Sequence, residues 1–333
     1  MTSKSTILWA YSWLSLLVAV LFVASLLAGR VMLPLGHLIP QPPNAGTEMV
    51  RSILFEIRLP RALLTVLVGA ALGMSGAALQ GFLRNPLADA GVIGVSATAS
   101  FGAVLALYSG AAATFALALP LGGLLGAGLS VALIYTLAGR DASVLTLILA
   151  GVAVNSFAGA LTALVLNLAP NPYAILEIVF WLLGSLADRS FDHVWLATPF
   201  ILAGGAWLLT TGRALDALSL GEDAAQSLGF SLSRVRMAVI GGTALCVGAA
   251  VAVSGAIGFI GLVVPHLLRP LAGQRPGALL GLSALGGAAL LLAADIGVRL
   301  IPTQAELKLG VVTALIGGPF FLWLLLRMRR TLP

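Results

Sequence analysis

Few side chains in this sequence can do chemistry, and their placement limits what that chemistry is. There are three histidines, His37, His193 and His266, far apart and without metal-ligand spacing. One cysteine, Cys246, and two lysines complete the short supply, and no GxxxxGK[ST] stretch is present, so the chain has no P-loop with which to hold ATP. No serine–histidine or paired-aspartate set falls at membrane depth. No catalytic residue and no metal ligand is therefore expected. Among the polar residues inside the long apolar runs, Gln80, Asn155, Ser156, Thr162 and Thr313 are the candidates for a functional role. Such groups are costly in lipid and usually face a bundle interior or a wet path. An interhelical hydrogen bond explains any one of them; as a set they suggest a pathway. Asp295 and Glu306 fall at or beyond a predicted membrane end, which leaves no mid-span carboxylate to relay protons, as an ion-coupled carrier normally requires. If this protein drives uphill transport, its energy source is on another chain.

The elements that must position these residues are membrane helices. Of 333 residues, 59% are hydrophobic and only 9% charged, with a mean hydropathy of +1.06; an ordinary soluble domain carries roughly a quarter charged residues. A hydrocarbon core about 30 Å thick takes roughly 20 apolar residues per helical crossing. Ten spans follow, near 7–28, 61–82, 92–108, 114–138, 144–168, 194–211, 237–254, 256–272, 277–298 and 308–326. Those at 92–108 and 256–272 are short and interrupted. The stretch from Ala174 to Leu186 is apolar but too short to cross, and reads as a re-entrant or interfacial helix. A cleaved signal peptide ending near Ala28 is the alternative for the first span, against which its long apolar core speaks. The loop 29–57, with "PQPPNAG", reads as a turn-rich connector. The whole chain, 1–333, is expected to form a single membrane domain.

Charge sets the orientation. With both termini on one side, the inner loops hold eleven basic residues, including Arg327, Arg329 and Arg330, against five acidic ones, and the outer side balances. The whole net charge of +6 then lies inside, which places both termini in the cytoplasm. The basic balance reports orientation, and no nucleic-acid partner is expected.

Glycine supplies the packing. Helices in lipid gain no hydrophobic drive from meeting one another, so small residues must let them approach closely. Gly69, Gly73 and Gly76, and then Gly122, Gly123, Gly126 and Gly128, read as tight crossings. The one inner loop long enough to fold is "RALDALSLGEDAAQSLGFSLSRVR", 213–236. Glu222 and Asp223 suit a helix N-terminus, and Gly229 suits the position just past its end. The result is a short helix bracketed by Gly221 and Gly229, suited to seating in a cleft on a soluble partner; an ordinary capped loop helix reads the same way.

Five stretches in order give a resemblance that covers nearly the whole chain: "RLPR" at 58–61, "GAALGMSGAALQGFLRNPLADAGVIGVS" at 69–96, "LSLGEDAAQSLG" at 218–229, "GFIGLVVPHLLRPLAG" at 258–273 and "LGVVTALIGGPFFLWLL" at 309–325. The sequence resembles the permease subunits of ABC importers for iron-siderophores, haem and cobalamin, the FecCD or BtuC-like family. The resemblance implies an all-α polytopic fold of the BtuC-like, type II importer kind. It also implies a homodimer with two ATP-binding cassette subunits, which carry the ATP and Mg, and a periplasmic substrate-binding protein as donor. Leu220, Gly221, Glu222, Asp223, Ala224, Ser227, Leu228 and Gly229 match the family's coupling helix. Arg58, Arg61 and Arg299 match arginines that receive acidic residues of the binding protein, for which a planar guanidinium fork is suited; snorkelling anchors are the plainer alternative. The fifth and tenth spans would line the path, which makes Asn155, Ser156, Thr162 and Thr313 lining residues and puts Asp141 and Ser143, in "GRDAS", near the cytoplasmic gate. Arg84 is explained by positive-inside anchoring alone. His266, in "VPHLLRP", is read as a packing or hydrogen-bonding residue. The implied location is the bacterial inner membrane, with a ferric siderophore the first substrate expected, then haem, then cobalamin. A secondary carrier without an ATPase, a membrane-embedded enzyme and an exporter are the rival readings, each lacking the residues it needs.

Overall fold

A computed structural model describes residues 4–29, 45–115, 117–139, 143–303 and 305–329, and these are helical almost throughout. In chain order the helices are α1 (Lys4–Leu27), α2 (Ala45–Ser52), α3 (Leu59–Phe82), α4 (Val95–Tyr108), α5 (Ala111–Thr114), α6 (Ala118–Ala138), α7 (Val144–Asn167) and α8 (Pro172–Leu182). There follow α9 (Phe191–Thr210), α10 (Gly212–Leu218), α11 (Glu222–Ser227), α12 (Leu232–Ser254), α13 (Ile260–Leu268), α14 (Pro276–Leu300) and α15 (Leu309–Arg329). Among the described residues, eight helical stretches are long and apolar enough to cross a membrane. The ten expected spans are these eight together with α4 and α13. "Inner" and "outer" below follow the basic-residue distribution.

The two interrupted spans are short for physical reasons. Helix α4 has 14 residues, about 21 Å at the usual rise, because Gly94 takes the left-handed conformation (φ 71°) and starts the helix late. The span expected at 256–272 is broken. Gly255 (φ 69°) and Phe259 (φ 68°) turn the backbone out of helix before α13 begins. Irregular backbone at membrane depth is tolerated only where protein satisfies it, and here it is satisfied: Ser185 N–H donates to Ser254 O (2.7 Å), and Arg189 Nε–H donates to Val253 O (2.6 Å). Helix α8 is the expected short element, capped at its start by Asn171 Oδ1, which accepts from Ala174 N–H (2.9 Å).

Of the connector expected at 29–57, residues 30–44, with most of "PQPPNAG", lie outside the described residues, and the remainder differs from the expectation: residues 45–58 are helical and run into α3, Glu48–Phe82 forming one 35-residue stretch. The junction Ile53–Arg58 is a π-helical turn, with Leu59 N–H donating to Leu54 O. Pro60 accounts for it. Its ring clashes with the carbonyl four residues earlier and it has no N–H to give, so the chain widens by one residue there and continues.

Helices α3, α12 and α14 form the centre: 78% of the α3 window and 83% of the α12 window are buried inside the bundle, against 22% for α15. Helix α3 crosses α14 where Gly69 and Gly73 meet the backbone of Gly287 and Ser283, and it crosses α13 where Gly76 meets Gly261. Any Cβ at these glycines would strike a carbonyl oxygen. Helices α4 and α6 meet in the same way through Gly102, Gly122 and Gly126. Gly128 is different: a Cβ there meets nothing within 4 Å, so this glycine is not part of a crossing.

Candidate functional site

The inner loop folds as two short helices. Helix α11 begins after Gly221, whose φ of 112° suits glycine, and carries Glu222 and Asp223 in its first turn. Its end is a Schellman closure: Gly229 N–H donates to Gln226 O (2.8 Å) and Phe230 N–H to Ala225 O (3.1 Å). Gly229 itself sits at φ 86°. Ala225 is fully buried on the inner side of the helix, while Leu220 and Leu228, at either end, are 73% and 62% exposed. The element therefore presents two apolar side chains flanking a charged first turn, on rigid caps.

Arg84 joins this element to the membrane core. It occupies a left-handed turn (φ 49°) after α3, and its Nη2 donates to Glu222 Oε1 at 3.1 Å. Both side chains are nearly half exposed, so the pair adds at most about 1 kcal/mol and acts mainly as a link. Sequence reasoning gave Arg84 only an anchoring role; the "RNP" turn was visible, but its partner, 138 residues away, was not. Asp216 on α10 is a second residue missed: its Oδ1 accepts from Gly277 N–H (2.8 Å) and caps the first turn of α14.

The expected path residues divide. Asn155 and Ser156 are exposed in the middle of α7, beside the exposed apolar Val152 and Phe157. Thr162 is partly buried and its hydroxyl donates to Ala158 O (2.9 Å); Thr313 is buried and donates to Gly310 O (3.0 Å). Those two hydroxyls are spent within their own helices. Helix α7 packs on α4 and α6, whereas α15 packs on α13 and α14, so within one chain the two helices are held by different neighbours. Ser143 caps α7, accepting from Thr146 N–H at 3.1 Å, and Asp141 lies outside the described residues. His266 packs edge-on against Phe320, ring centres 5.8 Å apart.

The outer arginines are tied into the bundle. Arg58, Arg61 and Arg299 are each at least nine-tenths buried, and their forks face inward. Arg61 donates to Asp295 Oδ1 from Nε (2.9 Å) and Nη2 (2.7 Å), and to Glu306. Arg299 donates to Asp295 Oδ2 (2.6 Å), to the Ser25 carbonyl (2.9 Å) and to the Ser25 hydroxyl. Arg58 donates to the carbonyls of Leu26 (2.9 Å) and Leu27 (2.8 Å). They fasten the C-terminal end of α1, where a helix has unsatisfied carbonyls and favours positive charge, to α3 and α14. These contacts engage the guanidinium groups within the chain, and reception of a binding protein's acidic residues at Arg58, Arg61 and Arg299 stays a proposal.

The whole arrangement has known counterparts. The family model for the FecCD transport family matches residues 17–327. An uncharacterized ABC transporter permease protein of Bacillus subtilis, YvrB, is 44% identical over 296 residues, covering 86% of this chain and 82% of the relative. The vitamin B12 import system permease protein BtuC of Vibrio cholerae is 40% identical over 295 residues, 88% of each. The hemin transport system permease protein HmuU of Yersinia pestis is 37% identical over 289 residues, 83% and 84%. A solved structure, described as an inward-facing conformation of a metal-chelate type ABC transporter, superposes with a TM-score of 0.85 at 34% identity, covering 95% of this chain and 98% of that one. A match over nearly the full length, shared by sequence and by helix arrangement, establishes that this chain belongs to the FecCD transport family.

Proposed function

We propose that this chain is the permease subunit of an ATP-driven importer, which passes a bulky metal chelate or related cofactor from a periplasmic binding protein to the cytoplasm. The observation that carries the reading is α11: a rigidly capped helix with Leu220 and Leu228 exposed, on a chain without a P-loop of its own. Such an element suits a cleft on a separate ATPase, which holds the ATP and Mg. Residues 213–236 are then the coupling loop of a single membrane unit, and Leu220 to Gly229 are the contact.

Two copies are proposed to enclose the path. Asn155 and Ser156 on the exposed face of α7 are poor company for lipid, and a face of α7 opposed by a second copy gives them a wet or protein environment. Both termini are assigned to the cytoplasm of a bacterial inner membrane by the excess of inner basic residues. Relatives named for vitamin B12 and hemin have similar identities to this chain, as does an Fe(3+) dicitrate permease protein, FecD, of Escherichia coli, at 37%. The substrate proposed is accordingly the shared chemical class, with a ferric siderophore tested first.

The test is uptake by vesicles reconstituted with the co-purifying ATPase and binding protein, offering a ferric siderophore, haem and cobalamin in parallel. Import of one that needs both ATP and the binding protein supports the reading. Uptake that persists without ATP overturns it in favour of a secondary carrier.

A further inference from the structure

At the inner end of the bundle a cavity of about 210 Å³ lies beside the coupling element, sharing only Gln80 with the polar residues considered above for a path. Its walls include Ala77 and Gln80 on α3, the Arg84 turn, Arg269 and Gln274 in the link between α13 and α14, and Leu279 in the first turns of α14. The volume equals several waters, at about 30 Å³ each.

The cavity is cationic and incompletely satisfied. Arg269 Nη2 donates to Gln80 Oε1 (2.6 Å), while its buried Nε has no acceptor. Gln80 is fixed in turn, since its Nε2 donates to Gly261 O (3.2 Å) and Leu262 O (3.3 Å). This neutral amide holds the Arg269 guanidinium without neutralising it. Among the described residues no carboxylate pairs with Arg269. The acids of the inner turns are engaged elsewhere, Glu222 by Arg84, Asp216 by Gly277 N–H and Asp89, which lies against Gly261, by Ala90 N–H. A desolvated cation without a counter-ion is unfavourable, and two guanidinium groups on one cavity match the several oxygens of a phosphate.

Position narrows the source. The walls are the inner ends of α3, α13 and α14, which is the level of the cytoplasmic-leaflet headgroups, and Ala77 and Leu279 supply an apolar side. We propose that this cavity binds a phosphate group between Arg269 and Arg84, that of an anionic phospholipid headgroup or a free phosphate ion. Through the Arg84–Glu222 pair the bound phosphate touches the base of α11, so occupancy and the position of the coupling helix are linked. The binding itself does not depend on which cargo is carried.

The test uses the full chain purified in detergent and followed by native mass spectrometry, with dioleoyl phosphatidylglycerol, dioleoyl phosphatidylcholine and inorganic phosphate as separate probes. Wild type should retain phosphatidylglycerol about tenfold more strongly than phosphatidylcholine, and Arg269→Gln should remove that preference. Gln274→Glu, an exposed change at the mouth of the cavity that leaves the packing intact, should weaken retention by a similar factor. Sensitivity of phosphatidylglycerol to both variants identifies the lipid as source; binding of inorganic phosphate alone, with the same sensitivity, identifies the free ion. Binding indifferent to both variants, or no binding of either probe, overturns the proposal. So does loss of the co-purifying ATPase in Arg269→Gln without any phosphate effect, which would assign the cavity to a partner carboxylate.

Discussion

Replacing Asp295 with Asn probes the ion cluster that joins α1, α3 and α14. Asp295 is fully buried and accepts three charge-assisted hydrogen bonds, two from Arg61 and one from Arg299 at 2.6 Å. With Glu306, the four side chains Arg61, Arg299, Asp295 and Glu306 carry no net charge. Asparagine keeps the shape and one acceptor but leaves an excess positive charge where the two arginine side chains are only 10% and 6% exposed. Breaking a buried pair costs about 3–5 kcal/mol; the surviving acceptor places this variant near the lower end, about 3 kcal/mol. Glu306→Gln removes the other acid, but Glu306 is 28% exposed, and solvent screening reduces that cost to about 1 kcal/mol. Equilibrium unfolding of the purified protein from detergent micelles into dodecyl sulfate measures both. Adding Arg61→Met to Asp295→Asn removes one stranded cation and should restore part of the loss. Equal costs for the two single variants, or less than about 1 kcal/mol for Asp295→Asn, would refute the claim that a desolvated charge balance holds these helices together.

Gly76→Ala drives a Cβ into the Gly261 carbonyl and should destabilise by about 1–3 kcal/mol, whereas Gly128→Ala, with open space, should leave unfolding unchanged or improved by up to about 1 kcal/mol. Gly229→Val forces a β-branched residue to φ 86°, a strain of about 1–3 kcal/mol; the membrane helices should still fold, and ATP-driven uptake should fall while ATP hydrolysis by the complex continues. Normal uptake in that variant would count against the coupling role. Asp89 lies in the inner turn between α3 and α4, where burial pushes its carboxyl up, opposed by the Ala90 N–H bond at 2.6 Å. Its contribution is full below the ordinary aspartate range, about 3.9, and is lost as pH rises through the raised folded value. Asp89→Asn should therefore raise the thermal midpoint at pH 8 and lose that advantage near pH 4.

The site was legible wherever the signal was local. The caps of α11 could be read from Gly221, Glu222, Asp223 and Gly229, because φ preference and first-turn charge act within a few residues. Gly69, Gly73 and Gly76 announced close crossings by their spacing, though spacing alone gave Gly128 the same meaning and the packing removed it. What the sequence did not show depended on distant chain. The acceptors of Arg58 and Arg61 come from α1, α14 and Glu306, and Asp295, four residues before Arg299, also takes Arg61 from a different helix. Arg84 looked like an anchor for the same reason.

The sequence by itself determined that the chain is a multi-pass helical membrane protein with no P-loop motif. Apolar run length, scarcity of charge and missing motifs are sums over residues and need no partner to be read. Only the tertiary structure decided that α3 is prolonged through a π-turn before Pro60, that the span at 256–272 is broken where Ser185 and Arg189 satisfy its carbonyls, and which acceptors within the chain the outer arginines engage. In lipid a polar group has no water to fall back on, so its role is set by whichever protein atom reaches it, and that is a property of the packed bundle.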